Sequence, residues 1–158
     1  MPTQQIPNST GAFPPSDATS QAAGAISTSQ AAAYLELPNQ DSVALSKGML
    51  VSLNVASSNV IGVVRAATTP AGPIGIVKDV TPVGDVATIV TDGICQAIAD
   101  GTITAGHWLL GPGTTAGSVL DSSIANTATT AADSGLVVGY ALTATTVGLL
   151  FWMYVEKM

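Results

Sequence analysis

One histidine, His107, and one cysteine, Cys95, bound what chemistry this chain could perform. A single imidazole leaves no multi-histidine metal centre to build. Serines and aspartates are numerous enough for a Ser-His-Asp arrangement, yet no Gly-x-Ser-x-Gly elbow occurs and nothing distinguishes one serine from the rest. His107 sits beside Trp108 at the start of an apolar run and reads as a structural histidine. Cys95 lies in Gly93-Ile-Cys-Gln-Ala-Ile98 and reads as a buried, unreactive thiol; with no second cysteine it makes no internal disulfide. Gly111-Pro-Gly-Thr-Thr-Ala-Gly117 has the glycines of a phosphate loop. It lacks the Gly-Lys-Ser/Thr ending, and Pro112 removes one of the N–H donors such a loop needs, so it reads as a turn. Asp79, Asp85, Asp92 and Asp100 do not have the spacing of an EF-type calcium loop and read as solvated acids at strand ends. The expectation is a protein without cofactor, metal or catalytic activity.

The elements that would position these residues are strands. Met49-Leu-Val-Ser-Leu-Asn-Val55 alternates apolar and polar residues, and Val60 to Ala67 resumes after the turn Ser57-Ser-Asn59. Pro73 to Gly93 reads as two strands joined at Thr81-Pro-Val-Gly84, with Asp92-Gly93 expected to stop the second. Ile94 to Ala99 is a further strand before the tight-turn pair Asp100-Gly101, and Gly106 to Leu110 follows. Ser118-Val-Leu120 reads as a short strand and Asp121 to Ser134 as a surface loop. Leu136 to Leu142 and Leu149 to Val155 are the last strands.

Part of this frame occurs twice. Gly75, Thr81, Val83 and Gly84 recur 64 residues later as Gly139, Thr145, Val147 and Gly148, and Lys47-Gly48-Met-Leu-Val51 is echoed by Ala105-Gly106-His-Trp-Leu109. Two copies are too few for a solenoid and suit two halves of one sheet domain. The expected fold is all-β, a small Gly-rich barrel or sandwich of two similar halves over residues 43–158.

Residues 1–42 are a different material. Met1 to Pro15 is rich in Pro, Gln and Ser, Ser16 to Gln30 is small and polar, and the run Ser29 to Leu37 suits either two helical turns or an extended segment before Pro38. The expectation is an extended N-terminal arm that touches another chain more than its own body.

Composition narrows the partners. Charged residues are 9% of the chain and the net charge is −6, with only Lys47, Arg65, Lys78 and Lys157 as cations. No basic cluster exists to track phosphates, so nucleic acid is not an expected partner. The longest apolar run, Val147 to Val155, is nine residues, far short of the roughly 20 that a membrane helix requires. Residues 1–20 carry no positive charge or apolar segment of a signal peptide. A mean hydropathy of +0.46 with so few charges fits a surface covered by partners or sister subunits.

The motifs Gly75-Ile-Val-Lys-Asp-Val80, Gly84-Asp-Val-Ala-Thr-Ile-Val-Thr-Asp-Gly93, Ile103-Thr-Ala-Gly-His-Trp-Leu109 and Val138-Gly-Tyr-Ala-Leu142 with the closing apolar strand carry a family resemblance. Over roughly residues 43–158 the sequence resembles the small capsid decoration, or cement, proteins of tailed bacteriophages. It departs from their pattern at His107 and Leu149, where an acid is usual. The resemblance implies a non-enzymatic virion protein, assembled in the host cytoplasm, that binds the outer surface of the head. There it would reinforce contacts between subunits of the major capsid protein, its partner, as a homo-oligomer with a trimer favoured. The alternative is a head-fibre or receptor-binding module on the virion surface. Interface candidates are Phe13, Tyr34, Leu35, Leu150, Trp152 and Tyr154. The last three share one face of the closing strand, whose other face holds Leu149, Phe151, Met153 and Val155. A small domain has one core to fill, so one of these faces is expected to meet a partner.

Overall fold

β-branched and aliphatic residues between closely spaced turn glycines give short strands, and the backbone follows that pattern. A computed structural model describes residues 32–55, 61–67, 72–125 and 136–156. Among them every regular element is a strand: β1 (Ala33–Pro38), β2 (Leu50–Val55), β3 (Ile61–Arg65), β4 (Pro73–Val77), β5 (Val86–Ile98), β6 (His107–Gly111), β7 (Leu120–Ala125), β8 (Leu136–Ala141) and β9 (Leu150–Val155). They form one curled sheet in the order β3-β2-β4-β5-β9-β8-β6-β7, with β1 paired to β5 off this path. The fold is all-β, as expected.

The two glycine frames are structurally equivalent. Ile76 pairs with Val90 and Val77 with Ile89 across β4 and β5. The residues 64 positions later, Tyr140 with Tyr154 and Ala141 with Met153, pair in the same register across β8 and β9. Leu50 opposite Ile76 and Val51 opposite Gly75 are matched by Trp108 opposite Tyr140 and Leu109 opposite Gly139. The connecting loops repeat as well. Gly48 N–H donates to the Val77 carbonyl (2.8 Å) and Gly106 N–H to that of Ala141 (2.8 Å). Each half curls until its first and third strands touch in single parallel bridges, Asn39 with Val63 and Ala99 with Val119.

Three expectations are corrected. Residues 33–39, assigned to the arm, belong to the sheet, and 40–42 lead on from it. β1 lies antiparallel on β5 from Ala33 opposite Asp92 to Pro38 opposite Val86, and Asn39 and Asp41 are buried. The open choice between helix and extended chain there is resolved as strand, because the β5 ladder satisfies its backbone. The arm itself, residues 1–31 with Phe13, lies outside the described residues. Second, Asp92-Gly93 does not end a strand: β5 runs through it for 13 residues, and Gly93 takes φ +110° where the strand passes from one half to the other. Third, Asp121 to Ala125 is strand β7 rather than loop, paired to β6.

The duplication now includes β1, whose counterpart is the second part of β5. Pro38 opposite Val86 corresponds to Ile98 opposite Leu150. Each half keeps its own core. Leu45, Val51, Val63, Val77, Ala87 and Ile89 form one cluster. Their counterparts Ile103, Leu109, Val119, Ala141, Phe151 and Met153 all lie in the other. That second cluster also takes in Leu50, Ile76 and Val90 from the outer face of the first half, which welds the halves together.

Two glycines are demanded for different reasons. Gly84 turns the β4–β5 hairpin at φ +85° with open space where a side chain would be. Gly139 holds φ +147°, and a Cβ there would collide with the Tyr154 carbonyl on β9. Gly84→Ala should therefore cost about 1 kcal/mol, the strain of a left-handed residue. Gly139→Ala should cost at least about 3 kcal/mol, because backbone must move. Urea unfolding of the two variants measures the difference, and equal losses would mean that β8 does not approach β9 in this register.

Candidate binding surface

Strand alternation sends Phe151, Met153 and Val155 into the core and leaves Leu150, Trp152 and Tyr154 on the other face, half-buried or exposed. The Tyr154 ring stacks on Tyr140 of β8 at 5.3 Å and 19°, and Tyr140 meets Trp108 of β6 edge-on at 5.9 Å and 89°. The three rings form a ladder across three neighbouring strands. The Tyr154 hydroxyl donates to Asp92 Oδ1 (3.1 Å), and that carboxylate raises the hydroxyl's pKa.

The other half shows what this face looks like when covered. The counterparts of Trp108, Tyr140 and Tyr154 are Leu50, Ile76 and Val90, and these are almost wholly buried (0%, 0% and 2% exposed) against the second half. Equivalent positions are thus aliphatic where the fold covers them and aromatic where it leaves them half open. Half-buried rings of this size suit a surface that a partner completes. The hairpin tips repeat the same exposure, with Val83 and Val147 at equivalent positions both open to solvent.

Trp152 points away from the ladder into a cleft of about 120 Å³. Tyr34, Lys47, Val77, Lys78, Val90 and Gln96 also line it. Lys78 Nζ lies 5.0 Å from the centre of the Tyr34 ring, in cation–π range. Of the interface candidates, the structure therefore brings Tyr34 and Trp152 into one cleft and puts Tyr154 on the ladder. Leu150 and Leu35, both partly exposed, line neither, and Leu150 instead lies over Gly48. Trp108, Tyr140, Lys47 and Lys78 were not candidates from sequence. The 64-residue offset that relates Tyr140 to Ile76 is the signal that finds the ladder.

The residues singled out for chemistry serve the fold. His107 Nδ1 is 2.9 Å from Asp121 Oδ1, and Asp121 also accepts backbone N–H bonds from Thr104 (2.8 Å) and Ser123 (2.6 Å). Burial pushes the Asp121 carboxyl up, but these donors outweigh it and hold the pKa below the ordinary value. Asp41 is likewise raised by burial and lowered further by Arg65, whose Nε and backbone N–H each donate at 2.9 Å. Asp100 sits in the 112–118 loop, where Thr114 and Thr115 donate to it and lower its pKa against the same burial effect. Burial alone pushes the Cys95 thiol up to about 12, which leaves it protonated and unreactive at neutral pH. Among the described residues no three His, Cys, Asp or Glu side chains gather where they could hold a metal ion.

No protein-family model matches the chain, and no curated protein sequence matches it. Among solved structures it is similar to the head fiber gp8.5 N base of bacteriophage phi29, with 16% sequence identity and a TM-score of 0.57, over 79% of this chain and 96% of that one. At this identity the likeness is one of fold.

Two outcomes follow from the geometry. The carboxyls of Asp41, Asp100 and Asp121 have folded pKa values below the ordinary 3.8, so their stabilisation is complete above that value and is lost as pH falls through the folded values. Thermal melts should be flat from neutral pH to about 5 and decline below about 4. Asp41→Asn should flatten that acid limb and cost about 1 to 2 kcal/mol at neutral pH. Trp152→Ala should leave the melting temperature within a few degrees while weakening association by about 2 kcal/mol or more, the usual worth of an interface anchor. Circular dichroism with sedimentation tests this, and a large fall in melting temperature with unchanged association would make the Trp152 face internal core.

Proposed function

We propose that this chain is a non-enzymatic structural protein of a bacteriophage head, bound to the outer surface of the shell, where it contacts the major capsid protein and reinforces contacts between its subunits. The observation that carries the reading is the fold, which also forms the base of a phage head fibre over nearly the whole of that base. The surface supports it. A chain with so few charges, apolar hairpin tips and an aromatic ladder on its open face is built to be covered. Many identical weak contacts on a shell add up through multivalency. The chain acts without cofactor, nucleic acid or membrane, as a homo-oligomer of which a trimer is the form implied by the resemblance to decoration proteins. It joins the head in the host cytoplasm.

The second reading is a base that anchors a fibre or adhesion module to the head, and it is favoured by the name of that same neighbour. Copy number separates the two. Quantitative mass spectrometry of purified virions, scaled to the major capsid protein, should give hundreds of copies per head for a reinforcing protein and a few dozen or fewer for a fibre base. Absence from the virion would overturn both. Purified heads stripped of the protein should rebind it and become more resistant to heating; rebinding without added resistance favours the fibre base.

A further inference from the structure

The cleft beside Trp152 holds a feature that the fold does not require. Lys47 and Lys78 both line it, and they are two of the four cations in the chain. Of the others, Arg65 is paired with Asp41, and Lys157 lies outside the described residues. Neither Lys47 nor Lys78 forms an ion pair among the described residues, although Asp79 also borders the cleft. In a chain of net charge −6 this is where an anion finds attraction rather than repulsion.

The duplication shows that the backbone does not demand these side chains. The positions equivalent to Lys47 and Lys78 in the second half are Ala105 and Leu142, that equivalent to Tyr34 is Ile94, and that equivalent to Trp152 in the first half is Thr88. The cleft itself occurs once, at the junction, with Tyr34 and the lysines from the first half and Trp152 from the second. We infer that the cleft binds an acidic side chain, an Asp or Glu flanked by an apolar residue, presented by a partner polypeptide. The two ammonium groups would take the carboxylate, and Val77, Val90, Ile94 and Cys95, which line the same cleft, would take the apolar neighbour. A volume of about 120 Å³ admits a side chain and excludes a helix. Val77, Val90, Ile94 and Cys95 give the lining an apolar part that suits an aliphatic side chain better than the hydroxyls of a sugar. Two lysines without a basic track do not follow a nucleic-acid backbone. The identity of the partner as a capsid subunit rests on the proposed function; the chemistry of the cleft does not.

The test titrates the full chain with N-acetyl-Leu-Asp-Leu-amide, its Asn counterpart and glucuronic acid, following the Trp152 indole N–H resonance, assigned with Trp152→Phe. The Asp peptide should shift that resonance, bind about five- to tenfold more tightly than the Asn peptide and weaken with added salt, as expected for two exposed ion pairs. The double variant Lys47→Ala with Lys78→Leu, which installs the residues of the other half, should keep its melting temperature and lose that preference. Equal binding of the two peptides by the wild type overturns the inference without reliance on any variant, and tighter binding of glucuronic acid overturns the peptide assignment. On purified heads, reduced occupancy by the double variant supports the inference. Equal occupancy removes the cleft from head binding while the head-surface reading stands. Failure of the wild type to bind heads removes that reading and leaves the peptide titration to decide the cleft.

Discussion

Strand β5 cannot be taken from either half without opening both. Its first part, Val86 to Asp92, pairs with β1 and β4 and closes the first half; its second part, Gly93 to Ile98, pairs with β9 and opens the second. Thirteen residues of one continuous strand thus belong to two cores. Gly93 at φ +110° is the joint that lets a single strand serve both. A one-residue slip in either set of pairings would turn Ile89 or Ala97 out of its core. The burial of Leu50, Ile76 and Val90 against the second half follows from this placement.

A duplicated fold separates what the backbone needs from what a surface is for. Positions that agree between the halves answer to geometry: the left-handed turns at Gly84 and Gly148, and the six pairs of core residues that occupy the same places. Positions that disagree are free of that demand. The largest disagreements are Leu50, Ile76 and Val90 against Trp108, Tyr140 and Tyr154, and Lys47 and Lys78 against Ala105 and Leu142. Leu50, Ile76 and Val90 are buried where the halves meet, whereas Trp108, Tyr140 and Tyr154 are half open on the second half and the lysines open at the junction. The fold is one module used twice, and its surface was specialised at one end.

What the sequence reveals is what backbone geometry imposes on residue type. A turn at positive φ wants glycine, so Gly84 and Gly148 stand out and bring Gly75 and Gly139 with them. The period of two along Leu149 to Val155 separates Leu150, Trp152 and Tyr154 from Phe151, Met153 and Val155, but with both sets apolar it does not say which is core. The first strand is hidden because Ala33-Tyr-Leu-Glu-Leu-Pro38 shares no identity with its counterpart Gly93-Ile-Cys-Gln-Ala-Ile98, and its alanine-rich approach resembles helix or linker. β7 is hidden because Asp121-Ser-Ser-Ile-Ala has a single strong strand former; the β6 ladder, not propensity, makes it a strand. The cleft is invisible for a different reason. Lys47, Lys78 and Trp152 are far apart in the chain, and only the pairing of β2 with β4, β4 with β5 and β5 with β9 brings their side chains to one place.

The two outward features differ in how they would hold a partner. The aromatic ladder offers area and little direction: three rings, with the Tyr154 hydroxyl already tied to Asp92. Such a face contributes affinity through burial and tolerates variation in what covers it. The cleft offers little area but two cations, whose charge would set register and orientation more than strength. On the proposed function, seating many copies in one orientation on a shell would call for both kinds of contact, since apolar rings alone would allow rotation or sliding. Their spacing on one face follows from strand alternation, because Trp152 and Tyr154 are successive outward residues of β9. Trp152 lines the cleft with the lysines and Tyr154 stacks in the ladder, so the closing strand joins the two features side by side.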